Sequence, residues 1–336
     1  MPMDADIRAG LLAYLRGATN DASLDYAEAP TAIIGGFETR TYALRLHAAA
    51  LPWTVPLILR IFPRHAPAAW MQREHALHRV LRAVGFPVPN VLLACADADV
   101  LGGTFLVMER VAGTDMFTDL FPRRLRRLTP MLAALQARLH ALEPGDLMGI
   151  LPTIEEPLRD LQARIDRARL DGLQAGPAWL CKHRPEPRAL VVCHGDFHPR
   201  NVLVRDGVVT GVIDWSLALL ADPAFDVGST RVVLAFAPTG LPTPLSGLVG
   251  LFQRTVVARR YYQQYRSRRA VDEAAVRYYE AFRSLRCLVW AGESRRLAQG
   301  MSLSDVRPGP WDAPNTARLL GRHFRRLTGL HVELPA

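Results

Sequence analysis

Sequence patterns typical of β-strands are concentrated in the first third of the chain. Short apolar runs separated by turn formers predict an antiparallel sheet there, and helices are predicted over residues 4–17 and 68–85. After Gly113 the pattern becomes helical, apart from one strand pair in the middle of the chain. We therefore predict an α+β fold, with a small antiparallel-sheet N-terminal lobe over residues 1–108 and a larger, mainly helical C-terminal lobe over residues 109–336. The strand-like runs are TAIIGG, TYALRLH, VPLILRIF, VLLACADADV and GGTFLVMERV.

Charge and size narrow the classes of function. At 336 residues the chain is long enough for two compact lobes. A net charge of +9 would suit nucleic acid, but the arginines are spread along the whole chain. The densest basic cluster, RRLRR at 123–127, is explained more simply as a solvated helix face, and no nucleic-acid-binding signature accompanies it. No nucleic-acid partner is expected.

The apolar runs and the cysteines argue against further classes of protein. The longest apolar runs, such as VVLAFA at 232–237, are far shorter than the roughly 20 residues of a membrane-spanning helix, and the chain opens on a polar segment. The four cysteines form no CxxC pair, which argues against a zinc site or a disulfide framework. We expect a cytoplasmic protein without membrane association.

A polar turn, CHGDFHPRNVLV, interrupts the helical part of the chain. The strand-like run ALVVCH leads into it, and NVLVRDGVVTGVIDW after it is predicted to form a hairpin that reverses at Asp206-Gly207. A tight reversal would bring Asn201 close to Asp214. Amide and carboxylate oxygens suit magnesium, which keeps several waters and is held by few protein ligands plus phosphate oxygens. Asp196 would then be free to orient a hydroxyl nucleophile and accept its proton late.

The order and spacing of these residues resemble the aminoglycoside phosphotransferase and choline kinase family, whose members are related to protein kinases. That resemblance implies a two-lobed protein-kinase-like fold, with ATP or GTP as co-substrate and Mg²⁺ as cofactor. It implies Asp196 as the catalytic base, and Asn201 and Asp214 as magnesium ligands. The residues that carry the resemblance are His194-Gly195-Asp196, Asn201, Ile213-Asp214-Trp215, Asp222-Pro223 and Asp226.

Three residues around the polar turn are predicted to support it rather than to bind metal. The ring of His194 is expected to bond to nearby backbone. For His198, loop support and a contact near the transferred phosphate are both left open. Asp226 resembles the buried aspartate that ties down the catalytic loop of kinases.

The resemblance extends into the first lobe. Gly35-Gly36 is similar to the family's phosphate-covering loop, although a double glycine is usually only a turn. The run PLILR resembles the strand that carries the phosphate-clamping cation. Protein kinases place a lysine there and this lobe has none, so Arg60 is the candidate clamp. Its forked guanidinium could contact both a phosphate and Glu74 on the following helix, where the ion-pair partner is expected.

The resemblance also implies a hinge near Met108-Glu109-Arg110-Val111, where family members bind the adenine ring through backbone groups. Met108, Glu109 and Val111 are therefore candidate nucleotide-binding residues.

The leading interpretation is a kinase that moves the γ-phosphate of ATP or GTP to a hydroxyl group of a small molecule. One alternative is an aminoglycoside or other antibiotic O-phosphotransferase that confers resistance. The region after residue 236 is richer in arginine than in carboxylates, which would repel a polycationic acceptor if it faces the cleft and favours a neutral or anionic one. A nucleotide-binding pseudoenzyme is the alternative of a different class, and the presence of Asp196, Asn201 and Asp214 counts against it. The acceptor, the choice between ATP and GTP, and the oligomeric state are left open.

Overall fold

The structure is a computed structural model that divides into two compact units. The first unit comprises the described residues of Met1–Thr114 and Leu203–Ser216, and the second those of Asp115–Val202 and Leu217–Ala336. An antiparallel sheet dominates the first unit and helices dominate the second, so the predicted α+β fold class is confirmed. The structure describes residues 4–33, 39–47, 52–120, 125–238, 245–303, 306 and 308–335.

The first unit is built on a five-stranded sheet in which every neighbouring pair is antiparallel, in the order β1-β2-β3-β5-β4. Four of the five predicted strand-like runs and the two predicted helices correspond to elements of this unit. The run TAIIGG overlaps only the last two residues of β1, and its residues 34–36 lie outside the described residues. Its elements are α1 (Asp4–Thr19), β1 (Asp25–Ala32), β2 (Arg40–His47), β3 (Leu57–Ile61), α2 (Ala68–Ala83), β4 (Val91–Cys95) and β5 (Phe105–Glu109).

The alternation of side chains along β3 decides where its arginine lies. Leu57, Leu59 and Ile61 are fully buried in the core that the sheet forms with α1. Successive side chains of a strand point to opposite faces, so Ile58 and Arg60 lie on the other face. Ile58 packs there in the smaller apolar cluster to which α2 contributes Met71. Arg60 is thereby directed toward the helix that carries Glu74.

The predicted hairpin is present in the middle of the chain. β8 (Val202–Arg205) and β9 (Val208–Val212) are joined at Asp206 and Gly207, which have φ angles of 54° and 78°. Two successive positive φ angles are the mark of a type I′ turn, so the predicted reversal point is confirmed. A two-residue strand, β6 (Thr114–Asp115), pairs with the other edge of β8.

Residues 203–216 belong to the first unit although they lie far along the chain. The Val212 N–H donates to Pro87 O (2.8 Å), and the rings of Trp215 and Phe86 meet edge to face with centroids 6.1 Å apart. A single boundary at residue 108 would assign residues 203–216 to the C-terminal lobe, whereas the structure groups them with the first unit. The assignment of nucleotide binding to residues 1–108 and of catalysis to residues 109–336 remains a prediction.

The second unit packs helices around a two-stranded antiparallel pair, β7 (Val191–Cys193) and β10 (Leu219–Ala221). Its longest helix, α10, is buried along most of its length and packs against α7 and α11. No helix among the described residues has both the length and the apolarity needed to cross a bilayer. The helices are α3 (Met116–Leu120), α4 (Leu125–Leu139), α5 (Glu155–Arg167), α6 (Ala175–Lys182), α7 (Pro223–Phe236), α8 (Leu245–Phe252), α9 (Ala258–Arg266), α10 (Glu273–Ala298) and α11 (Pro314–Thr328).

The Asp-Pro pair after β10 starts α7. Asp222 caps the helix, because its Oδ1 accepts a hydrogen bond from the Ala224 N–H at 2.8 Å. Pro223 occupies the first helical position, where its missing N–H costs nothing. This start fixes the position of Asp226 one turn into the helix.

Candidate active site

The loop that carries Asp196 leaves β7 through a position that only glycine can occupy. Gly195 has a φ of 83°, in the left-handed region that side chains disfavour. A Cβ atom at this position would lie 2.1 Å from the carbonyl oxygen of Leu217. The glycine between His194 and Asp196 is therefore required by both backbone conformation and space.

Asp226 holds this loop from beneath. It is fully buried, and its two carboxylate oxygens accept the backbone N–H groups of His194 and Gly195, each at 2.8 Å. Nε2 of His140 lies 3.3 Å from Oδ2. Burial alone would raise the pKa of Asp226, but the interactions with His140 and His194 outweigh it and lower the pKa below its ordinary value. The buried carboxylate therefore stays ionised and fixes the loop.

Further polar groups that the sequence did not reveal brace the same loop. Thr230 Oγ1 donates to the carbonyl of Phe197 at 2.6 Å, and Gln136 Nε2 donates to Thr230 Oγ1 at 3.1 Å. The ring of His194 accepts a hydrogen bond from the Asp196 N–H through Nδ1 at 3.2 Å, which is the backbone contact expected of it. The sequence signal that could have revealed such bracing groups is a polar residue on an otherwise apolar helix face. Gln136 and His140 are two examples.

His140, Cys193 and Asp226 place their side-chain ligand atoms within 4.8 Å of one another among the described residues. Burial raises the pKa of the Cys193 thiol well above its ordinary value, so the thiol is protonated and is a poor metal ligand. His140 also hydrogen-bonds Tyr265 through Nδ1, at 2.7 Å. The cluster thus belongs to the buried support of the loop.

Asp196 is held between two basic side chains. Its Oδ1 accepts a hydrogen bond from Arg283 Nη2 at 2.6 Å, and its Oδ2 lies 3.4 Å from Nε2 of His198. The carboxylate is 22% exposed, so it can still be reached. Burial alone would raise the pKa of Asp196, but Arg283, His198 and Arg286 together hold the pKa well below its ordinary value. Asp196 is therefore a carboxylate, and a weak base, at neutral pH.

Asn201 is tied to the same loop. It ends a short 3₁₀ turn, Pro199–Asn201, that His198 begins by accepting a hydrogen bond from the Arg200 N–H. Asn201 Nδ2 donates to the main-chain carbonyl of Asp196 at 3.0 Å, and the residue is 8% exposed. Because the amide nitrogen serves the loop, the amide oxygen is the atom left for a cation. The structure thus brings Asn201 and Asp196 together.

In the first unit, Arg60 joins two other predicted site residues. Its Nη2 lies 3.0 Å from Asp214 Oδ1, and its Nε lies 3.5 Å from Glu74 Oε1. Glu74 is buried, whereas the Asp214 side chain is 47% exposed. Asp214 has a φ of 65°, an uncommon conformation for a residue other than glycine. Arg60, Glu74 and Asp214 therefore form one charged cluster. Asn201 belongs to the second unit and Asp214 to the first, and their approach to each other remains a prediction.

The predicted hinge segment follows the end of β5. Glu109 N–H donates to Asn90 O (2.9 Å), Asn90 Nδ2 donates to Glu109 Oε1 (3.2 Å), and Arg110 N–H donates to Pro56 O (2.8 Å). Met108 is buried. These two N–H groups are committed, so a nucleotide base would have to use other groups of the segment.

The end of this segment is fitted closely to the hairpin. Val111 covers Gly211, where an added Cβ would lie 2.8 Å from the Val111 Cγ1 atom. Thr210 Oγ1 donates to the carbonyl of Ala112 at 2.6 Å. The predicted phosphate-covering pair, Gly35 and Gly36, lies outside the described residues.

Comparison with known proteins places this arrangement in a family. Residues 30–276 match the sequence model of the phosphotransferase enzyme family, which is well over half of the chain. The chain belongs to the phosphotransferase enzyme family. The resemblance inferred from the polar turn is thereby confirmed.

Solved structures of this family share the fold. A Ralstonia eutropha protein provisionally named an aminoglycoside phosphotransferase is 19% identical, with a TM-score of 0.67 over 96% of this chain and 98% of the other. A thermostable mutant of aminoglycoside phosphotransferase APH(4)-Ia, solved with ADP and hygromycin B, is 16% identical, with a TM-score of 0.56 over 95% and 98% of the two chains. These likenesses confirm the predicted protein-kinase-like fold, with its sheet lobe and helical lobe.

Curated relatives match over part of their length. Acyl-CoA dehydrogenase family member 10 of Mus musculus is 27% identical over 187 residues, which is 51% of this chain and 17% of that protein. Aminoglycoside 3'-phosphotransferase of Streptomyces fradiae is 32% identical over 155 residues, which is 43% of this chain and 57% of that protein. The matched region thus spans less than a fifth of the first relative and little more than half of the second.

Proposed function

We propose that this phosphotransferase moves the γ-phosphoryl group of ATP or GTP to a hydroxyl group of a small molecule, in a magnesium-dependent reaction with Asp196 as the base. The observation that carries the proposal is the rigid loop of the second unit. Asp226 fixes its backbone through two N–H groups, and Asn201 is bonded to the carbonyl of Asp196. Phosphoryl transfer asks mainly for positioning and charge neutralisation, and a loop held in this way supplies the positioning.

The low pKa of Asp196 agrees with the role of base in this reaction. The transition state of phosphoryl transfer is loose, so the nucleophile is deprotonated late and a strong base is not needed. Arg283 engages Oδ1, which leaves Oδ2 beside His198 as the oxygen that would accept the acceptor's hydroxyl proton. In this proposal Asp196 orients the hydroxyl, and His198 supports that oxygen.

The predicted ligands fit magnesium by their chemistry. The carboxylate of Asp214 and the amide oxygen of Asn201 are hard oxygen donors, and two protein ligands suit a cation that also binds phosphate. Bound magnesium would neutralise charge that develops on the transferred phosphoryl group. Arg60, held on one side by Glu74, would contact a phosphate in place of the lysine of protein kinases. The complex of APH(4)-Ia with ADP supports a nucleotide as the co-substrate.

An antibiotic O-phosphotransferase is the second candidate. The similarity to the Streptomyces fradiae aminoglycoside 3'-phosphotransferase favours it, at 32% identity over 43% of this chain. The basic side chains around Asp196 count against a polycationic acceptor, because like charges repel at short range. Expression of the gene in a sensitive host, with growth measured on aminoglycosides and macrolides, decides this point.

The proposal is tested by nucleotide binding and by phosphate transfer. We expect calorimetry to show ATP or GTP binding that requires Mg²⁺, and a screen of alcohols, sugars, amino alcohols, hydroxy acids and antibiotics to yield a phosphorylated product. Asp196→Asn should abolish transfer while nucleotide binding persists. The matched control is Asp160→Asn, because Asp160 lies on the exposed surface of α5 with a side chain that is 58% exposed. Transfer that survives in Asp196→Asn would refute the base assignment, and nucleotide binding without transfer to any acceptor would favour a pseudoenzyme.

A further inference from the structure

Arg283 of α10 reaches the catalytic loop. Arg283, Cys287, Trp290 and Ser294 recur at three- and four-residue spacing, which places them on one side of the helix. The Arg283 side chain is only 6% exposed, yet its guanidinium reaches Asp196 at 2.6 Å. Burying a charge is costly unless the charge is paired, and Asp196 supplies the pairing carboxylate for Arg283 in this structure.

An aromatic ring lies beside the guanidinium of Arg283. The guanidinium carbon lies 6.0 Å from the ring centroid of the buried Trp311. Gly309 approaches the ring of Trp290 so closely that an added Cβ would lie 2.5 Å from it, and its N–H donates to Ser294 Oγ at 3.3 Å. The guanidinium thus lies beside one aromatic ring and is 6% exposed, and charge interactions are strong in such a place because little water screens them.

Arg283 has hydrogen-bonding capacity beyond its bond to Asp196. Its Nε is buried and has no oxygen or nitrogen partner among the residues that the structure describes, while the Cys287 thiol, one helical turn on, interacts with the guanidinium. Buried donors are almost always paired with strong acceptors in native proteins, and a bound anion would supply the acceptor that Nε lacks. Guanidinium groups bind carboxylates and phosphates through two parallel N–H donors.

The charges near Asp196 have one sign. Arg283 and Arg286 and the ring of His198 act on Asp196. The two buried carboxylates of α10 are paired, since Glu280 lies 2.8 Å from Arg231 and Glu293 lies 2.6 Å from Arg164. A cationic acceptor would find no free carboxylate among these groups, whereas an anionic acceptor would find basic ones.

We propose that the acceptor carries an anionic group, a carboxylate or a phosphate, near the hydroxyl that is phosphorylated, and that Arg283 binds this group. The inference rests on the proposed function and names the substrate class for it. Arg283 would hold the anion while Asp196 orients the neighbouring hydroxyl. The hydroxyl oxygen forms a bond to the γ-phosphorus, and the bond from that phosphorus to the bridging oxygen breaks. The nucleoside diphosphate leaves with the electron pair, and the hydroxyl proton passes to Asp196.

Matched acceptors test the proposal directly. The screen compares hydroxycarboxylic acids with their amides, phosphorylated alcohols with the parent alcohols, and both sets with amino sugars. We expect kcat/KM for at least one anionic set to exceed that of its neutral partners by about tenfold or more, which is about 1.4 kcal/mol. The set in which the anionic compound has the higher kcat/KM shows whether the acceptor's anionic group is a carboxylate or a phosphate. Equal rates for charged and neutral partners, or a preference for amino sugars, would overturn the inference and leave the proposed phosphotransferase intact.

Variants of α10 separate anion binding from folding. Arg283→Lys keeps the charge but loses the fork, so it should raise KM for the anionic acceptor about tenfold more than it raises KM for neutral acceptors. The control is Arg277→Gln, an exposed arginine of the same helix that pairs with Glu273. An Arg283→Lys enzyme with wild-type KM for the anionic acceptor would contradict the proposal.

A binding measurement provides a readout that does not need turnover. Asp196→Asn removes the negative charge that Arg283 now neutralises, so calorimetry with inorganic phosphate and with malonate should show tighter binding to this variant than to the wild type. Unchanged or weaker binding of both anions would refute an anion site at Arg283. A wild-type protein that binds no nucleotide in the presence of Mg²⁺ would instead refute the proposed function. The two failures are therefore distinguishable.

Discussion

Replacing Gly195 by alanine should destabilise the protein in two separable ways. The left-handed φ of 83° costs a side-chain-bearing residue about 1–2 kcal/mol. The new Cβ would lie 2.1 Å from the Leu217 carbonyl oxygen, and the backbone shift that relieves such an overlap costs about 1–3 kcal/mol. Together these terms predict a loss of about 2–5 kcal/mol in the free energy of unfolding.

Gly300→Ala is the matched control, because it isolates the first term. Gly300 has a φ of 87°, and an added Cβ there would meet nothing within 4 Å. The free energy of unfolding of this variant should therefore fall only by the backbone cost of about 1–2 kcal/mol. Chemical denaturation of both variants and of the wild type measures the difference directly.

The two variants should also differ in activity. The overlap at Gly195 would displace the backbone that carries Asp196, so kcat should fall at least tenfold in Gly195→Ala, whereas Gly300→Ala should keep wild-type kcat. Equal destabilisation of the two variants, together with wild-type kcat in Gly195→Ala, would show that the close approach to Leu217 does not constrain the loop.

Three further predictions concern charged groups. Arg60→Ala should raise the nucleotide KM or lower kcat at least tenfold because it removes the cation between Glu74 and Asp214, and unchanged steady-state kinetics would take Arg60 out of the site. Asp226→Asn keeps the shape but leaves one loop N–H without its acceptor, so the free energy of unfolding should fall by about 2–4 kcal/mol in denaturant titrations; a loss under about 0.5 kcal/mol would contradict the bracing role. The folded-state pKa of Asp226 is lowered, so its stabilisation is complete above the ordinary aspartate pKa of about 3.9 and is lost as pH falls through the folded value. Unfolding measured between pH 7 and pH 2 should show this loss in the wild type, and a smaller one in Asp226→Asn.

Much of the fold follows from local sequence signals. Two-residue alternation marks Leu57, Leu59 and Ile61 as core, and the Asp206-Gly207 pair marks the hairpin turn because both residues tolerate positive φ. Local sequence signals do not reveal that the hairpin belongs to the first unit. It depends on long-range contacts of residues 203–216, such as the hydrogen bond from Val212 to Pro87 and the packing of Trp215 on Phe86.

The residues of the candidate site also differ in whether local sequence signals reveal them. Asp196 and Asn201 lie within one short motif whose turn chemistry is visible in the sequence. Arg283 lies 87 positions from Asp196, and its contact depends on how α10 packs within the second unit. The arginines of the largely apolar stretch AFRSLRCLVW were a usable signal, because a buried charge needs a partner. The sequence does not say that this partner is the predicted base.

We propose that Asn201 and Asp214 share one magnesium ion that is bound to a nucleotide. The most direct measurement is a crystal structure of the protein with Mg²⁺ and a non-hydrolysable ATP or GTP analogue. We predict that one oxygen from each of these two side chains lies about 2.1 Å from the same ion, which also contacts the phosphates. A nucleotide bound away from both residues, or an ion held by neither of them, would contradict the account.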